Sequence, residues 1–320
     1  MRVDSILINL NESDSLVNKI FEKLNTYRHK VPMGKVNIQV FSDGETCVDF
    51  KSSLRGKRVF LISSPITSLM REQLYLAIDA ARRASAFEII PILPYFPYAR
   101  ADKRDQKRGP IGGRVFADNL QEAGATSIIT LDLHADQLEG FFKIPVIHLR
   151  GKYLFKDAIY DRSGSNTILC SPDQGGLKRV KKIRDNILSS YGLKLPFISL
   201  DKTREEANKV DTIEVLGDVK DKEVLIIDDM CDTGGTLIKG TDALLEAGAT
   251  DVSVLITHPV LSGEAKINLA ASNIKEFICS DSITHKGVVS DMGGKMTIVS
   301  TASEISSAII SINVEGSIHR

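Results

Sequence analysis

Residues 224 to 237 read V-L-I-I-D-D-M-C-D-T-G-G-T-L, and the fold can be read outward from them. Val224 to Ile227 form a short unbroken apolar run of the kind that fills a strand buried on both faces of a parallel sheet. Asp228 and Asp229 stand at its carboxyl end, and Asp232, Thr233, Gly234, Gly235 and Thr236 follow as a tight loop. The next apolar positions, Leu237, Leu244 and Leu245, are spaced i, i+7, i+8, so the loop opens a helix with one apolar face.

A glycine-rich turn at a helix amino terminus presents backbone N–H groups beside the positive end of the helix dipole, which suits a phosphate monoester. The hydroxyls of Thr233 and Thr236 add donors. Asp228 and Asp229 would repel that phosphate but accept hydrogen bonds from vicinal sugar hydroxyls, so ribose 5-phosphate satisfies both ends. The plainer alternative is a strand that ends in solvated aspartates before an ordinary turn. Neither the G-x-x-x-x-G-K-[ST] spacing of a nucleotide loop nor the G-x-G-x-x-G of a dinucleotide fold is present in the segment.

The chain has 320 residues, 42% hydrophobic and 26% charged, enough for two globular domains of ordinary size. Lys plus Arg equals Asp plus Glu at 41 each, so no global field favours nucleic acid or an acidic membrane, and any anion site must be built locally. Cys47, Cys170, Cys231 and Cys279 are scattered without a C-x-x-C pair, which argues against a zinc site or a disulfide framework and fits a reducing compartment. The opening M-R-V-D-S-I-L-I-N-L-N-E soon turns polar, and no apolar run approaches a membrane span, so a cytoplasmic location is expected.

The chain also resembles itself. L-Q-E-A-G-A-T-S-I-I-T-L-D-L-H (Leu120–His134) aligns with L-L-E-A-G-A-T-D-V-S-V-L-I-T-H (Leu244–His258), and V-F-L-I-S-S (Val59–Ser64) with V-L-I-I-D-D (Val224–Asp229). The expectation is an α/β protein of two tandem duplicated domains, 1–150 and 151–320, each a mainly parallel sheet flanked by helices. On this alignment His134 matches His258, and the first copy carries about forty extra residues before its E-A-G-A-T turn, including Tyr95 to Gly113. It also replaces the acidic pair by Ser63 and Ser64.

The strand–loop–helix segment resembles the signature loop of the phosphoribosyltransferase fold. F-S-D-G-E (Phe41–Glu45), R-R-A-S-A (Arg82–Ala86), Y-F-P-Y-A-R (Tyr95–Arg100), D-L-H-A (Asp132–Ala135), S-P-D-Q-G-G (Ser171–Gly176) and T-H-P-V-L-S-G (Thr257–Gly263) are similar, in order, to motifs of the ribose-phosphate diphosphokinase family. The resemblance runs from about residue 41 to residue 282 and is weakest over residues 1 to 40 and at Gly316-Ser-Ile-His-Arg320.

By residue type alone, Phe41–Glu45 reads as a turn, Arg100–Arg108 as a charged loop, and Lys202 and Arg204 as surface residues. The resemblance implies more. Phe41, Asp43 and Glu45 would meet the adenine of ATP from a neighbouring subunit, and Arg100, Asp102 and His134 would bind the same nucleotide. His134 and Asp173 would be ligands of magnesium, the implied cofactor, and Lys202 and Arg204 the catalytic clamp on the transferring phosphates. Asp232, Thr233, Gly234, Gly235 and Thr236 would hold the 5-phosphate, and Asp228 and Asp229 the ribose hydroxyls. The implied reaction is attack by the anomeric hydroxyl of ribose 5-phosphate on the β-phosphorus of ATP in a homo-oligomer, a hexamer or smaller dimer-based assembly, with no nucleic-acid or membrane partner. Ala101 stands where the family commonly has Gln, so donor choice is expected to be looser. His258 reads as structural. The rival readings are a phosphoribosyltransferase, which would not need F-S-D-G-E or the Arg100 segment, and a non-catalytic regulatory homologue, which would be expected to lose Lys202, Arg204, His134 or the acidic pair.

Overall fold

The computed structural model describes residues 3–11, 15–26, 31–104, 106–203, 212–285 and 287–314. The chain forms two compact units, one of Met1–Arg150 with Ser282–Thr284 and the segment beginning at Ser300, the other of Gly151–Asp281 with His285–Val299. Among the described residues no helix is long and apolar enough to cross a membrane.

The first unit contains β1 (Ser5–Asn9), α1 (Ser15–Asn25), β2 (Met33–Gly34), a hairpin of β3 (Val36–Val40) and β4 (Thr46–Phe50), then β5 (Arg58–Ile62), α2 (Ser68–Arg83) and β6 (Glu88–Leu93). It continues with α3 (Gly112–Ala123), β7 (Ile128–Leu131), a 3-10 turn over Asp136–Phe141, and β8 (Val146–Leu149). Its six-stranded sheet has the order β2-β1-β5-β6-β7-β8, parallel throughout. Helices cover both faces, so a strand such as β5 has no polar side, and Val59, Phe60, Leu61 and Ile62 are all buried. Leu74, Ala77, Ile78 and Ala81 give α2 its buried stripe at i, i+3, i+4, i+7.

The second unit contains α4 (Gly151–Leu154), α5 (Lys156–Arg162), β9 (Thr167–Ser171), α6 (Leu177–Tyr191), β10 (Phe197–Thr203), β11 (Thr212–Leu216) and β12 (Glu223–Cys231). After it come α7 (Gly235–Glu246), β13 (Asp251–Pro259), α8 (Ala265–Ala271), β14 (Phe277–Ser280), α9 (Val288–Asp291) and β15 (Met296–Val299). Seven strands run β11-β10-β9-β12-β13-β14-β15, with β11 an antiparallel edge on an otherwise parallel sheet.

The expected division at 1–150 and 151–320 differs from the structure at Ser282–Thr284 and beyond residue 299. Helix α10 (Ala302–Asn313) belongs to the first unit, where Ala302, Ile305, Ala308 and Ile309 share an apolar cluster with Leu16, Val17, Ile20 and Leu24 of α1. Ser5 Oγ donates to Asn313 Oδ1 at 2.6 Å, and Arg58 Nη1 to Ile312 O at 3.1 Å.

The two sheets share one strand order, with β2-β1-β5-β6-β7-β8 answering to β10-β9-β12-β13-β14-β15. That order corrects the register of the sequence repeat. Leu120–His134 leads into β7, fifth in its row, whereas Leu244–His258 leads into β13, fourth in the matching row. The counterpart of β13 is β6, so His134 and His258 are not equivalent, and the supposed forty-residue insertion is largely the α2–β6 unit that answers to α7–β13. The true extra length is the stretch between β6 and α3, eighteen residues against five between β13 and α8. E-A-G-A-T misleads because it encodes a local helix stop. Gly124 (φ 122°) and Gly248 (φ 97°) take the left-handed conformation that ends helices, and any helix-to-strand turn can use it.

Candidate active site

Strand β12 runs four residues past its apolar start, to Cys231. It stays paired with β13 as far as Cys231, but its last partner on β9 is the pair Ile226–Cys170. The acidic pair therefore lies beyond β9, beside the loop that leads into α6. Asp229 is buried and Asp228 half-buried. Arg179 of α6 reaches both, with Nη1 3.2 Å from Asp228 Oδ1 and 3.1 Å from Asp229 Oδ1. Burial first, then the neighbouring Asp229 carboxylate, hold the Asp228 carboxyl well above the usual carboxylate range, and Arg179 opposes that shift. Arg179 was not singled out from the sequence. Its signal is position, three residues beyond the glycines of S-P-D-Q-G-G on the first turn of α6.

Helix α7 begins at Gly235, so Gly235 and Thr236 form its first turn, and Gly234 precedes it at φ 79° with no side-chain cap. A side chain at 234 would be strained, and its Cβ would lie 3.1 Å from Cγ and Cδ2 of Leu269 on α8. From β13 the main chain turns back onto the same loop, Leu261 N donating to Cys231 O and Ser262 N to Asp232 O, both at 3.0 Å. Thr233 and Gly235 remain exposed, Asp232 and Thr236 half-buried. T-H-P-V-L-S-G thus supports the loop from behind, and His258 is a buried residue of β13.

Asp173 is exposed, and its Oδ1 accepts from Gly176 N at 2.8 Å, shaping the turn into the helix that carries Arg179. Lys202 lies in β10, paired with Ile213 of β11. Arg204 lies outside the described residues.

In the first unit β6 and β7 are adjacent, with Leu93 opposite Thr130. Past β6, Phe96 is buried edge-on against Phe116, with ring centroids 5.0 Å apart, and anchors the stretch that ends at exposed Arg100. Asp102 Oδ2 accepts from Gln137 Nε2 at 2.9 Å, tying this segment to the turn that follows exposed His134. The fold thus unites Arg100, Asp102 and His134 at the carboxyl ends of two neighbouring strands, where α/β sheets bind ligands. Phe41, Asp43 and Glu45 sit instead on the tip of the separate β3–β4 sheet. Phe41 N donates to Glu45 O at 2.8 Å and Glu45 N to Asp43 Oδ1 at 3.0 Å, while the Phe41 side chain is 46% exposed.

Backbone strain marks the same places. Among the described residues five non-glycines have positive φ, and three of them, Tyr98 (59°), Asp132 (41°) and Leu261 (51°), lie past the carboxyl ends of β6, β7 and β13. Such conformations persist where surrounding structure over-determines them, commonly at binding sites.

Residues 5–124 match the family model for the N-terminal domain of ribose phosphate pyrophosphokinase, another name for the diphosphokinase, and residues 142–292 match the phosphoribosyl transferase domain. The chain is 42% identical over 258 residues to the ribose-phosphate pyrophosphokinase of Porphyromonas gingivalis, covering 79% of this chain and 80% of the relative. It is 36% identical over 310 residues to that of Oceanobacillus iheyensis, covering 96% and 93%. The crystal structure of phosphoribosylpyrophosphate synthetase from Mycobacterium smegmatis aligns with a TM-score of 0.86 at 32% identity, over 98% of this chain and 100% of that one. Two domain matches in tandem, relatives that align along most of their length and a solved structure with the same fold agree with the acidic pair and the open glycine loop: the chain belongs to the ribose-phosphate pyrophosphokinase family.

Proposed function

We infer that this chain transfers the β,γ-diphosphoryl group of ATP to the anomeric hydroxyl of ribose 5-phosphate, giving 5-phospho-α-D-ribose 1-diphosphate and AMP. The observation that carries the reading is the succession, on β12 and α7, of an acidic pair, half-buried Asp228 and buried Asp229, and a helix that opens on glycine without a side-chain cap. A sugar phosphate needs both an acceptor for its hydroxyls and a donor nest for its phosphate. Asp228 and Asp229 take the ribose hydroxyls, and the loop of Asp232, Thr233, Gly234, Gly235 and Thr236 takes the 5-phosphate. On the first unit Arg100, Asp102 and His134 bind ATP. Phe41, Asp43 and Glu45, on an exposed hairpin tip, complete the adenine site of a neighbouring copy in a homo-oligomer.

The chemistry is an in-line displacement. The C1 oxygen forms a bond to the β-phosphorus, the bond from that phosphorus to the oxygen of the α-phosphate breaks, and AMP leaves with that oxygen while the hydroxyl proton is lost. Such transfer relies on positioning and charge stabilisation, with no covalent intermediate on the enzyme. Lys202 and Arg204 stabilise the moving phosphates. Magnesium fits the donors present: His134, Asp173 and the acidic pair are few, and among the described residues no cluster of three or more His, Cys, Asp or Glu forms a protein cage. Magnesium is commonly held by one or two carboxylates, several waters and substrate phosphates. When bound it neutralises phosphate charge.

Measuring AMP release from ATP with and without ribose 5-phosphate tests the reading. Release that requires ribose 5-phosphate and is matched by phosphoribosyl diphosphate is expected. A phosphoribosyltransferase would consume that product and release no AMP, and a regulatory homologue would bind both substrates without turnover; either result overturns the assignment.

A further inference from the structure

We propose that His148 is a positioning residue for the nucleotide: its buried imidazole fixes the main chain of Leu133 and thereby aims His134. The inference rests on the reading that His134 faces the ATP phosphates and their metal.

The turn after β7 is not one the chain adopts freely. Asp132 has φ 41°, in the left-handed region that few residues other than glycine, Asn and Asp adopt. Two bonds from β8 hold it there. Asp132 N donates to Leu149 O at 2.8 Å, as a parallel ladder would continue, but the next amide, Leu133 N, donates to a side chain, His148 Nε2, also at 2.8 Å. His134 follows at once and is exposed, so the imidazole holds the amide that immediately precedes it.

The hydrogen bonds around His148 define its tautomer. Nε2 accepts from Leu133 N and must carry its lone pair. Nδ1 lies 2.7 Å from Glu139 Oε1 and so carries the proton. Glu139 Oε1 is held in turn by Arg150 Nη2 at 2.9 Å, and the other nitrogen of Arg150 pairs with Asp136. The ring is 3% exposed, and burial lowers its pKa toward the neutral form the two bonds require. Arg150, Glu139 and His148 thus make a chain that ends on the amide beside a candidate metal ligand. Partners of this kind orient the ligands themselves.

A purely structural staple would need only the link between His148 and Glu139, whereas positioning needs the acceptor at Nε2. Two variants separate them. In His148→Gln the amide oxygen can reach the Nε2 position and accept from Leu133; in His148→Asn the amide nitrogen can stand in for Nδ1 and keep Glu139, but no acceptor reaches Leu133. Binding of the magnesium complex of α,β-methylene-ATP is measured by calorimetry, with thermal midpoints alongside. His148→Asn should weaken binding by about 10-fold or more and His148→Gln by no more than about twofold, at similar thermal midpoints. Long-range nitrogen–proton spectra of the imidazoles should report the Nδ1–H tautomer for His148. Equal weakening in both variants, wild-type binding in His148→Asn, or an Nε2–H tautomer overturns the proposal. His134→Ala distinguishes the two failures: if it binds the analogue like wild type, the nucleotide role of His134 falls, and if it weakens binding while His148→Asn does not, only the positioning role falls.

Discussion

Helices α2 and α7 hold the same place in their two sheets, each following the strand third in the shared order, yet they begin in opposite ways. At α2 the side chain of Thr67 caps the helix, its Oγ1 accepting from Met70 N at 3.2 Å. Just past the strand before it lie buried Ser63 and Ser64, and Ser64 Oγ donates to Ser282 O at 2.6 Å. At α7 the cap is a glycine with no side chain to offer, and the strand before it carries two carboxylates. One terminus is capped by a side chain of its own unit, and the other, on the reading proposed above, receives the 5-phosphate. On that reading an anion site arises by withholding a cap, and where the cap is kept, the proposed binding residues lie instead at the next strand ends, β6 and β7.

The comparison breaks most visibly at the acidic pair. Asp228→Asn with Asp229→Asn should lower turnover by about 100-fold or more while the fold is kept, since Arg179 still finds amide oxygens and the loss falls on substrate placement. Near-normal turnover by AMP release would mean that β12 does not serve the sugar. A smaller effect is expected at the helix start. Gly234→Ala places a Cβ against Leu269 in a left-handed conformation, a strain of about 1–2 kcal/mol that should raise the KM for ribose 5-phosphate more than it changes kcat. Steady-state kinetics with saturating ATP decide it.

The pair also has a cost in stability. The folded-state pKa of Asp228 is raised, so the folded protein holds that proton more tightly than the unfolded chain, and stability is lost as pH climbs from the ordinary carboxylate range through the raised value. Asp228→Asn alone should therefore match the wild-type thermal midpoint in acid and exceed it increasingly toward neutral pH. Parallel melting curves across pH would refute the assignment of strain to this residue. The smallest effect belongs to the other helix: Thr67→Ala should cost about 1 kcal/mol of stability by chemical denaturation and leave turnover unchanged. A catalytic defect there would show that the α2 terminus, too, takes part in binding.

The β12–loop–α7 segment was legible because its signals are local: a buried run, a breaker, an apolar stripe. Strand, turn and helix fell where Val224, Gly234 and Leu237 placed them. What was not legible depends on distance. Arg179 is a lysine-rich helix's ordinary cation until the fold lays α6 across the end of β12. The partner of Leu133 is a histidine fifteen residues on, in a strand whose text, V-I-H-L, looks like core. The misaligned repeat fails in the reverse way, for a helix-stop pattern shared by two turns carries no information about which strand comes next. Positive φ at Tyr98, Asp132 and Leu261 had no warning at all, because side chains that prefer other conformations were held there by tertiary contacts.

Helix α10 gives the chain a temporal order. On the ribosome the first unit emerges first, but the apolar face that Leu16, Val17 and Ile20 turn toward Ile305, Ala308 and Ile309 has no cover until residues beyond 300 have been made. The first unit is therefore completed only after the other has been synthesised, and in the interval its nascent core stays open to chaperones and to wrong partners alike.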